Sequence, residues 1–299
     1  MLFLLRTELQ NSKKPSMSIK EALGWATDYF QKNNIENPHL EAEILLAHAL
    51  KLKRIDLYIK FEEIVSAEVL AKFKDYITRR KNHEPTAYIT GIKAFMSLDF
   101  TVTRDVLIPR PETEILVEAA IGAAKEFESP IILDIGTGSG ALSVSIAKYL
   151  PSAKIHATDV SQKAIEIAGR NAKTHSVSER INFEAADLFP KAAGIKFDVI
   201  VANPPYIKSS EIEKLMPEIR NYEPLSALDG GADGLDFYRA IIPKAKDYLK
   251  DSGALILEID PNLLEGVKKL LSESFFRISS IKKDLNDLNR AVIANSKTP

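Results

Sequence analysis

Two short strings in this sequence carry residue types that suit chemistry better than scaffolding. The first is Asn203-Pro204-Pro205-Tyr206, directly after the apolar run Phe197-Asp198-Val199-Ile200-Val201-Ala202. That run is short and β-branched, and it reads as a buried strand. Two prolines cannot extend it. They lack N–H groups and hold φ near about −65°, so the backbone is stiff and its carbonyls are not consumed by a ladder. The Asn203 carboxamide oxygen and the Pro204 carbonyl can then accept two N–H bonds from one flat amino or amide group, with Tyr206 lying on its face. Open α/β sheets bind ligands outside the carboxyl ends of their strands, which is where this string falls. The chemistry it suits is the seating of a planar nitrogen nucleophile. Taken alone, the string also reads as a Pro-rich turn that closes a strand.

The second string is Asp134-Ile135-Gly136-Thr137-Gly138-Ser139-Gly140-Ala141. Three glycines allow a sharp turn and a close approach to a ligand, and the following helix start presents N–H groups. Asp159 ends the next strand and is placed to bind both ribose hydroxyls of an adenosine. A glycine loop with a distant acid fits a dinucleotide site as well. Three features favour S-adenosylmethionine. Asp134 precedes the loop, within reach of the ammonium of a methionine moiety. Asp187-Leu188 follows the third strand, where an adenine edge would lie. The Asn203 string ends the fourth strand, beside a sulfonium methyl. The cofactor residues expected on these grounds are Asp134, Gly136, Gly138, Gly140, Asp159, Asp187 and Leu188.

The elements that must position these strings follow from the pattern. From Pro130 onward strands and helices alternate, which means a mostly parallel, doubly wound sheet covered on both faces, with an antiparallel closing strand. The end of the chain, Phe276 to Ile281 and Arg290 to Ala294, looks like a closing pair. Ahead of this lies an all-helical segment. Ser18 and Glu21 form a capping box, Asn37-Pro38 restarts a helix with Asn as its cap, and Val69, Leu70, Phe73, Tyr76 and Ile77 make one apolar stripe. Arg79-Arg80-Lys81 reads as a solvated helix end. Between the two parts, Glu84 to Leu107 reads as a β-hairpin link. The expected layout is a disordered extension or alternative start over 1–16, a helical domain over 17–83, a hairpin linker over 84–108 and a cofactor-binding catalytic domain over 109–299.

Composition narrows the function class. The 299 residues carry 40 basic and 41 acidic side chains and a net charge of −1, which argues against affinity resting on a broad basic surface. No cysteine is present, so disulfides, thiolate metal sites and thiol nucleophiles are excluded. No stretch reaches the length of a membrane span. Met1-Leu2-Phe3-Leu4-Leu5 is broken at once by Arg6 and Glu8, unlike a signal peptide. The reading is a cytoplasmic protein.

Together the strings resemble class I methyltransferases, and more narrowly the bacterial release-factor glutamine methyltransferase family of the HemK/PrmC type. The resemblance runs from Met17 almost to the end. It rests on Glu84-Pro85, Tyr88-Ile89, Gly91, Phe95, Phe100 and Val102, on Val106-Leu107-Ile108-Pro109-Arg110-Pro111-Glu112-Thr113-Glu114, on the glycine loop, Asp159 and Asn203-Pro204-Pro205-Tyr206-Ile207, and on Tyr222-Glu223-Pro224 and Gly230-Gly231 through Tyr238. It implies S-adenosylmethionine as cofactor, contacted by Gly136, Thr137, Gly138, Ser139, Gly140, Asp159, Leu188 and Asn203, and, as substrate, the glutamine of the Gly-Gly-Gln loop of peptide chain release factors. It also implies that Asn203, Pro204, Pro205 and Tyr206 hold that glutamine. Asp260, Leu263 and Asp287 depart from the family pattern, outside the catalytic strings.

The reaction so implied is an in-line methyl transfer to a carboxamide nitrogen, with Asn203, Pro204 and Tyr206 as the catalytic group. No strong base neighbours the string, and His156 and His175 read as incidental. Orientation and electrostatics must then do the work. A site that pairs two amide N–H groups should reject glutamate. Arg110, between two prolines, is expected to brace the substrate entrance. The partner is a release factor, with neither a membrane nor a nucleic acid bound directly, and the chain is expected to be a monomer. The neighbouring readings are glutamine methylation of a ribosomal protein, methylation of exocyclic amines in DNA or RNA, and a degenerate methyltransferase that only binds.

Overall fold

The structure is a computed structural model that describes residues 16–192 and 194–296. The extension expected over 1–16 lies outside the described residues except for Ser16. The chain forms two compact units that meet in sequence between Thr90 and Gly91.

The first unit is helical. A two-residue bridge pairs β1 (Met17–Ser18) antiparallel to β2 (Ile64–Val65). The helices are α1 (Ile19–Lys32), α2 (Pro38–Leu50), α3 (Arg54–Ile59), α4 (Ala67–Lys81) and α5 (Thr86–Thr90). The capping box forms: Ser18 Oγ accepts from the Glu21 N–H at 3.2 Å, and Glu21 Oε2 accepts from the Ser18 N–H at 3.0 Å. Asn37 does not cap α2. It sits at φ 50°, ψ 50° and makes no side-chain cap bond. Phe30, Leu45, Leu46, Leu57, Phe73 and Ile77 meet in a fully buried core. Polar side chains also enter it. Glu43 is buried and takes Arg54 and Tyr58 as partners. Burial would raise its pKa, yet hydrogen bonds from Tyr58 and Arg54 hold it below the usual carboxylate range. The basic end of α4 is less solvated than its sequence suggests. Arg80 is only 5 % exposed and donates to Glu41 at 2.9 Å, while Arg79 grips Glu84 with two 2.9 Å bonds. Thr86–Thr90 is helical rather than part of a hairpin: the Pro85 carbonyl accepts from Tyr88 and Ile89, and Gly91 ends the turn at φ 74°.

The second unit opens with a hairpin, β3 (Ile92–Phe95) and β4 (Leu98–Thr101), turned by Met96 and Ser97, both at positive φ. After a 3-10 turn (Pro111–Thr113) come α6 (Glu114–Ala124), β5 (Ile131–Ile135), α7 (Ala141–Tyr149), β6 (Lys154–Asp159), α8 (Gln162–Thr174), β7 (Ile181–Ala185) and β8 (Phe197–Ala202). The chain continues with α9 (Pro217–Arg220), α10 (Asp236–Tyr248), β9 (Leu249–Glu258), α11 (Leu264–Glu273), β10 (Phe276–Lys283) and β11 (Asn289–Ser296). The seven-stranded sheet has the order β10-β11-β9-β8-β5-β6-β7. Strands β7, β6, β5, β8 and β9 run parallel, and β11 and β10 close the sheet antiparallel.

Every residue of β8 is buried, as its unbroken apolar run requires of a central parallel strand. Val199 and Val201 enter one core, Ile200 and Ala202 the other. Register then aligns the functional ends. Ala202 pairs with Ile135 on one side and with Leu257 on the other, and Ile135 pairs with Thr158. The glycine loop, Asp159, Asn203 and Glu258 therefore all leave the sheet at one level.

The three departures from the family pattern are absorbed locally. Asp260 caps the next turn by accepting from the Asn262 N–H at 2.8 Å. Leu263 is a buried core residue. Asp287 takes a glycine-like φ of 62° in the β10–β11 turn.

One fully buried side chain ties the hairpin to the cofactor loop. Asn171 of α8 accepts from the Thr101 N–H at 2.8 Å and donates to the carbonyls of Thr101 (3.0 Å) and Ser139 (2.8 Å). Asn171→Ala would strand these groups in the interior, at a cost of about 1–3 kcal/mol per group. A clear fall in the urea midpoint is expected. An unchanged midpoint would show that the clamp adds nothing to stability.

Candidate active site

The loop after β5 owes its shape to glycine. Gly136, Gly138 and Gly140 have φ of 72°, 55° and 81°, conformations that L side chains adopt at a cost. A Cβ on Gly140 would come within 3.0 Å of Ala168 Cβ, so this glycine lets α8 pack on the loop. A Cβ on Gly136 would meet nothing within 4 Å, and one on Gly138 only a carbonyl at 4.0 Å. The space before these two is open, and a ligand can lie against bare backbone.

That space is a cavity of ≈ 370 Å³ at the carboxyl end of the sheet, a size that suits a nucleoside cofactor. Gly136, Gly138, Asp159, Asp187, Leu188, Asn203, Pro204 and Pro205 line it. A second hollow of ≈ 170 Å³ shares the wall made by Leu107, Asn203, Pro204, Pro205 and Ala227, and it adds Arg110 and Tyr206. The Asn203 string is thus a partition between two chambers. A larger groove of ≈ 680 Å³ beside α6 and β11 gathers none of these residues.

Thr137, Ser139 and Gly140 stand outside the lining, and so does Asp134, which lies beneath the loop and is fully buried. Its Oδ2 accepts from Thr137 Oγ1 at 2.7 Å and from the Ser143 N–H at 3.2 Å, which caps α7. Its Oδ1 is buried with no hydrogen-bond partner among the described residues. Burial pushes its pKa up to about 7 against the hydrogen bonds from Thr137 and Ser143. The loop spends its own donors too. The Gly136 and Thr137 N–H groups go to the Thr158 carbonyl and that of Gly138 to Asp159 Oδ2, each at 2.9 Å.

Asp159 is half-buried, with Oδ1 accepting from the Ser161 N–H at 2.9 Å. Each carboxylate oxygen still has a lone pair for a ribose hydroxyl. Burial raises its pKa against the two backbone donors. Leu188 sits at φ 62°, with the Phe189 N–H donating to the Asp187 carbonyl across it. Such strain collects at ligand sites. Among the described residues the lining includes four carboxylates (Asp105, Asp159, Asp187 and Asp229) and no lysine, arginine or histidine. A cationic sulfonium cofactor with an ammonium group fits that wall, whereas a pyrophosphate-bearing dinucleotide would meet like charge.

The partition is braced from behind. A Cβ on Gly230 would lie 2.7 Å from Tyr206 Cα, and one on Gly234 would lie 2.5 Å from the Tyr206 carbonyl oxygen. The Gly230 N–H donates to the Ile207 carbonyl at 2.8 Å, and the Ile207 N–H to that of Leu228 at 3.0 Å. Arg110 Nη2 donates to Glu223 Oε1 at 2.5 Å, and Glu223 Oε2 accepts from the Ile108 N–H at 3.2 Å, which fastens the loop before Pro224 to the Ile108–Pro111 segment. Asn203 donates through Nδ2 to Thr113 Oγ1 at 3.2 Å. Beyond Thr113 lies Glu258, 2 % exposed. Burial pushes its pKa up to about 7, against the Thr113 hydroxyl and the Arg290 charge. Sequence reasoning passed over Asn171, Thr113, Glu223 and Glu258 as site residues. Thr113 and Glu223 lie within strings that carried the family resemblance, and Glu258 follows the residue paired with Ala202. His175 donates through Nε2–H to the Asp99 carbonyl at 2.8 Å, and neither it nor His156 lines either chamber.

Comparison with known proteins agrees with this geometry. The PrmC N-terminal domain family matches residues 21–91, and the methyltransferase small domain family matches residues 112–219. The chain is 41% identical over 282 residues to the release factor glutamine methyltransferase of Geobacter sulfurreducens, covering 94% of this chain and 98% of that protein. It is 42% identical over 254 residues to the protein of the same name from Moorella thermoacetica, covering 85% and 89%. Among solved structures, the hMettl16 catalytic domain in complex with the MAT2A 3'UTR hairpin 6 superposes with a TM-score of 0.53 at 15% identity, over 80% of this chain and 86% of that one, a likeness of fold.

The raised pKa of Asp134 has a consequence for stability. A carboxyl at about 7 when folded, against an ordinary 3.8, contributes stability that is full below about pH 3.8 and lost as pH rises to 7. Asp134→Asn removes that slope and leaves Glu258 in place. In ligand-free unfolding from pH 4 to 8 the variant should gain on the parent as pH rises, by about 1.4 kcal/mol per unit at most. A constant gap would show that Asp134 ionises normally.

Proposed function

Because this chain belongs to the release factor glutamine methyltransferase family, we propose that its Asn203–Tyr206 string seats the side-chain amide of a release-factor glutamine. The protein is an S-adenosylmethionine-dependent protein-glutamine N-methyltransferase that acts on peptide chain release factors. When bound, S-adenosylmethionine supplies a methyl group made electrophilic by its sulfonium. The remaining roles belong to this chain.

The observation that carries the assignment is the position of Asn203, on the wall common to both chambers with its Nδ2 turned to Thr113. Gly136 and Gly138 offer bare backbone to the cofactor, Asp159 accepts from the ribose, and Asp187 and Leu188 border the adenine. From the other chamber the acceptor glutamine, that of the Gly-Gly-Gln motif, reaches the partition. Asn203 Oδ1 and the Pro204 carbonyl accept its two amide protons, and Tyr206 packs on the amide plane. Two oxygens on the N–H groups hold the nitrogen in line and favour the positive charge that develops there. Orientation of this kind can supply roughly 7–11 kcal/mol of a barrier. The nitrogen loses its proton to water once the bond has formed.

The remaining features belong to the same reading. Arg110, through Glu223, holds the substrate side of the entrance. The helical domain (17–83) reads the protein substrate, the segment 84–108, a helical turn followed by the β3–β4 hairpin, links it, and 109–299 carries the reaction. The enzyme works as a monomer in the cytoplasm, and among the described residues no helix is long and apolar enough to cross a membrane.

The test combines the protein, labelled S-adenosylmethionine, a purified release factor, and that factor with its Gly-Gly-Gln glutamine changed to alanine. Label on the first factor and none on the second is expected; label on both would refute the acceptor. Asn203→Ala should lower kcat by about 10²-fold or more while cofactor affinity stays within about threefold. Equal losses in both would remove the role given to Asn203.

A further inference from the structure

The β10–β11 turn stands at the same end of the sheet as the Asn203 string. β11 runs antiparallel to β9 and pairs its Ala291 with Glu258, so the turn from Asp284 to Leu288 rises where β8 delivers Asn203. Two or three strand spacings, about 10–14 Å, separate it from β8. Asp284 fixes the shape of the turn. Its Oδ1 accepts from the N–H groups of Asn286 at 2.8 Å and Leu288 at 3.0 Å, and its Oδ2 accepts from Arg290 Nε at 2.8 Å. Its own N–H donates to the Leu288 carbonyl at 2.9 Å. Lys283 Nζ donates to both carboxylate oxygens of Asp287 at 2.9 Å. A turn pinned in this way still displays its apolar side chains: Leu285 is fully exposed and Leu288 is 43 % exposed. Single surface leucines are ordinary. Two on one rigid turn make an anchor, because covering them orders little that was free.

Leu285 also borders a hollow of ≈ 390 Å³ whose lining includes Pro111, Glu112, Ile115 and Glu118. Pro111 follows Arg110, which lines the acceptor chamber, so one short segment borders both spaces. The charge of the hollow is one-sided. Glu112 and Glu118 make neither a hydrogen bond nor an ion pair among the described residues. Lys283, the one cation among the described residues that line it, is committed to Asp287. A second copy of the chain presenting the same face would bring like charge against these acids. A partner with an aliphatic side chain for the leucines and a basic one for the glutamates fits instead. The acceptor glutamine belongs to a protein, and an extended segment advances about 3.3–3.6 Å per residue, so residues about three or four from that glutamine reach this turn.

We propose that the β10–β11 turn and the adjoining acidic hollow form a docking surface for the release factor, which takes an aliphatic and a basic side chain from the segment flanking the acceptor glutamine. The inference rests on the Asn203–Tyr206 string as the seat of that glutamine.

The experiment measures kcat and KM on a purified release factor, S-adenosylmethionine affinity, the urea midpoint and the oligomeric state, all in the full chain. Leu285→Asp removes the anchor and Glu118→Lys reverses the rim charge. Both side chains are exposed, so the urea midpoint and cofactor affinity should hold. In each variant KM for the release factor is expected to rise by about tenfold while kcat at saturation stays within about twofold. Added salt should raise the parent's KM and raise that of Glu118→Lys less. Leu285→Met should keep the parental KM. A parental KM in either Leu285→Asp or Glu118→Lys would overturn the docking surface. So would a fall in kcat with KM unchanged, or a change of oligomeric state in place of a change in KM, which would make a second copy the occupant. The parent separates the two levels. If it leaves the Gly-Gly-Gln glutamine unlabelled, the proposed function fails and this surface with it; if it labels that glutamine and the variants match it, only the surface fails.

Discussion

Behind the Asn203–Tyr206 string there is no room for a side chain. The backbone of Tyr206 lies so close to Gly230 and Gly234 that a Cβ on either would sit 2.7 Å or less from it. In front, two prolines fix their own φ and leave their carbonyls unclaimed by the sheet. A polar acceptor held on both sides cannot drift from the point where two chambers meet. The cofactor cavity, the smaller hollow and the loop from Ile207 to Gly234 all take their shape from that immobility. The register of the sheet supplies the rest, since β5, β8 and β9 end level and deliver the glycine loop, Asn203 and Glu258 to one plane.

The electrostatics divide between a wet acidic wall and a dry acidic floor. Asp105, Asp159, Asp187 and Asp229 line the cavity and give it a sign that suits a sulfonium. Asp134 and Glu258 do not touch it. Both are buried, both are pushed up to about 7, and each has one oxygen without a partner among the described residues. Asp134 acts through what it holds, Thr137 and the start of α7. A carboxylate supporting a ligand-binding group from below orients it more firmly than one exposed to water, because few alternative partners compete.

The helical unit shows the same preference for buried, partnered charge. Glu43 with Arg54 and Tyr58, and Arg80 with Glu41, fix helices that an apolar stripe alone would allow to slide. In the larger unit, Asn171 does this with a neutral side chain and ties the β3–β4 hairpin to the carbonyl of Ser139 in the cofactor loop.

The alternation of strand and helix, the glycine loop, the acid after the second strand and the proline-locked string were legible from the chain alone, because each depends on local backbone rules: period, φ freedom and missing N–H groups. The two-strand antiparallel closure and the buried character of β8 were legible for the same reason. The pairing of distant side chains was not. Nothing near Asp134 in sequence says that its carboxylate turns inward to cap α7 rather than outward to a ligand. Arg80, in a basic run at a helix end, reads as solvated until Glu41 is packed against it. Thr113 and Asn203 are 90 positions apart and meet because β8 emerges beside the turn that leads into α6. Sequence by itself determined which residues could do the chemistry. Only the tertiary structure decided which way they face, because a side chain's orientation is set by partners that the fold brings from elsewhere in the chain.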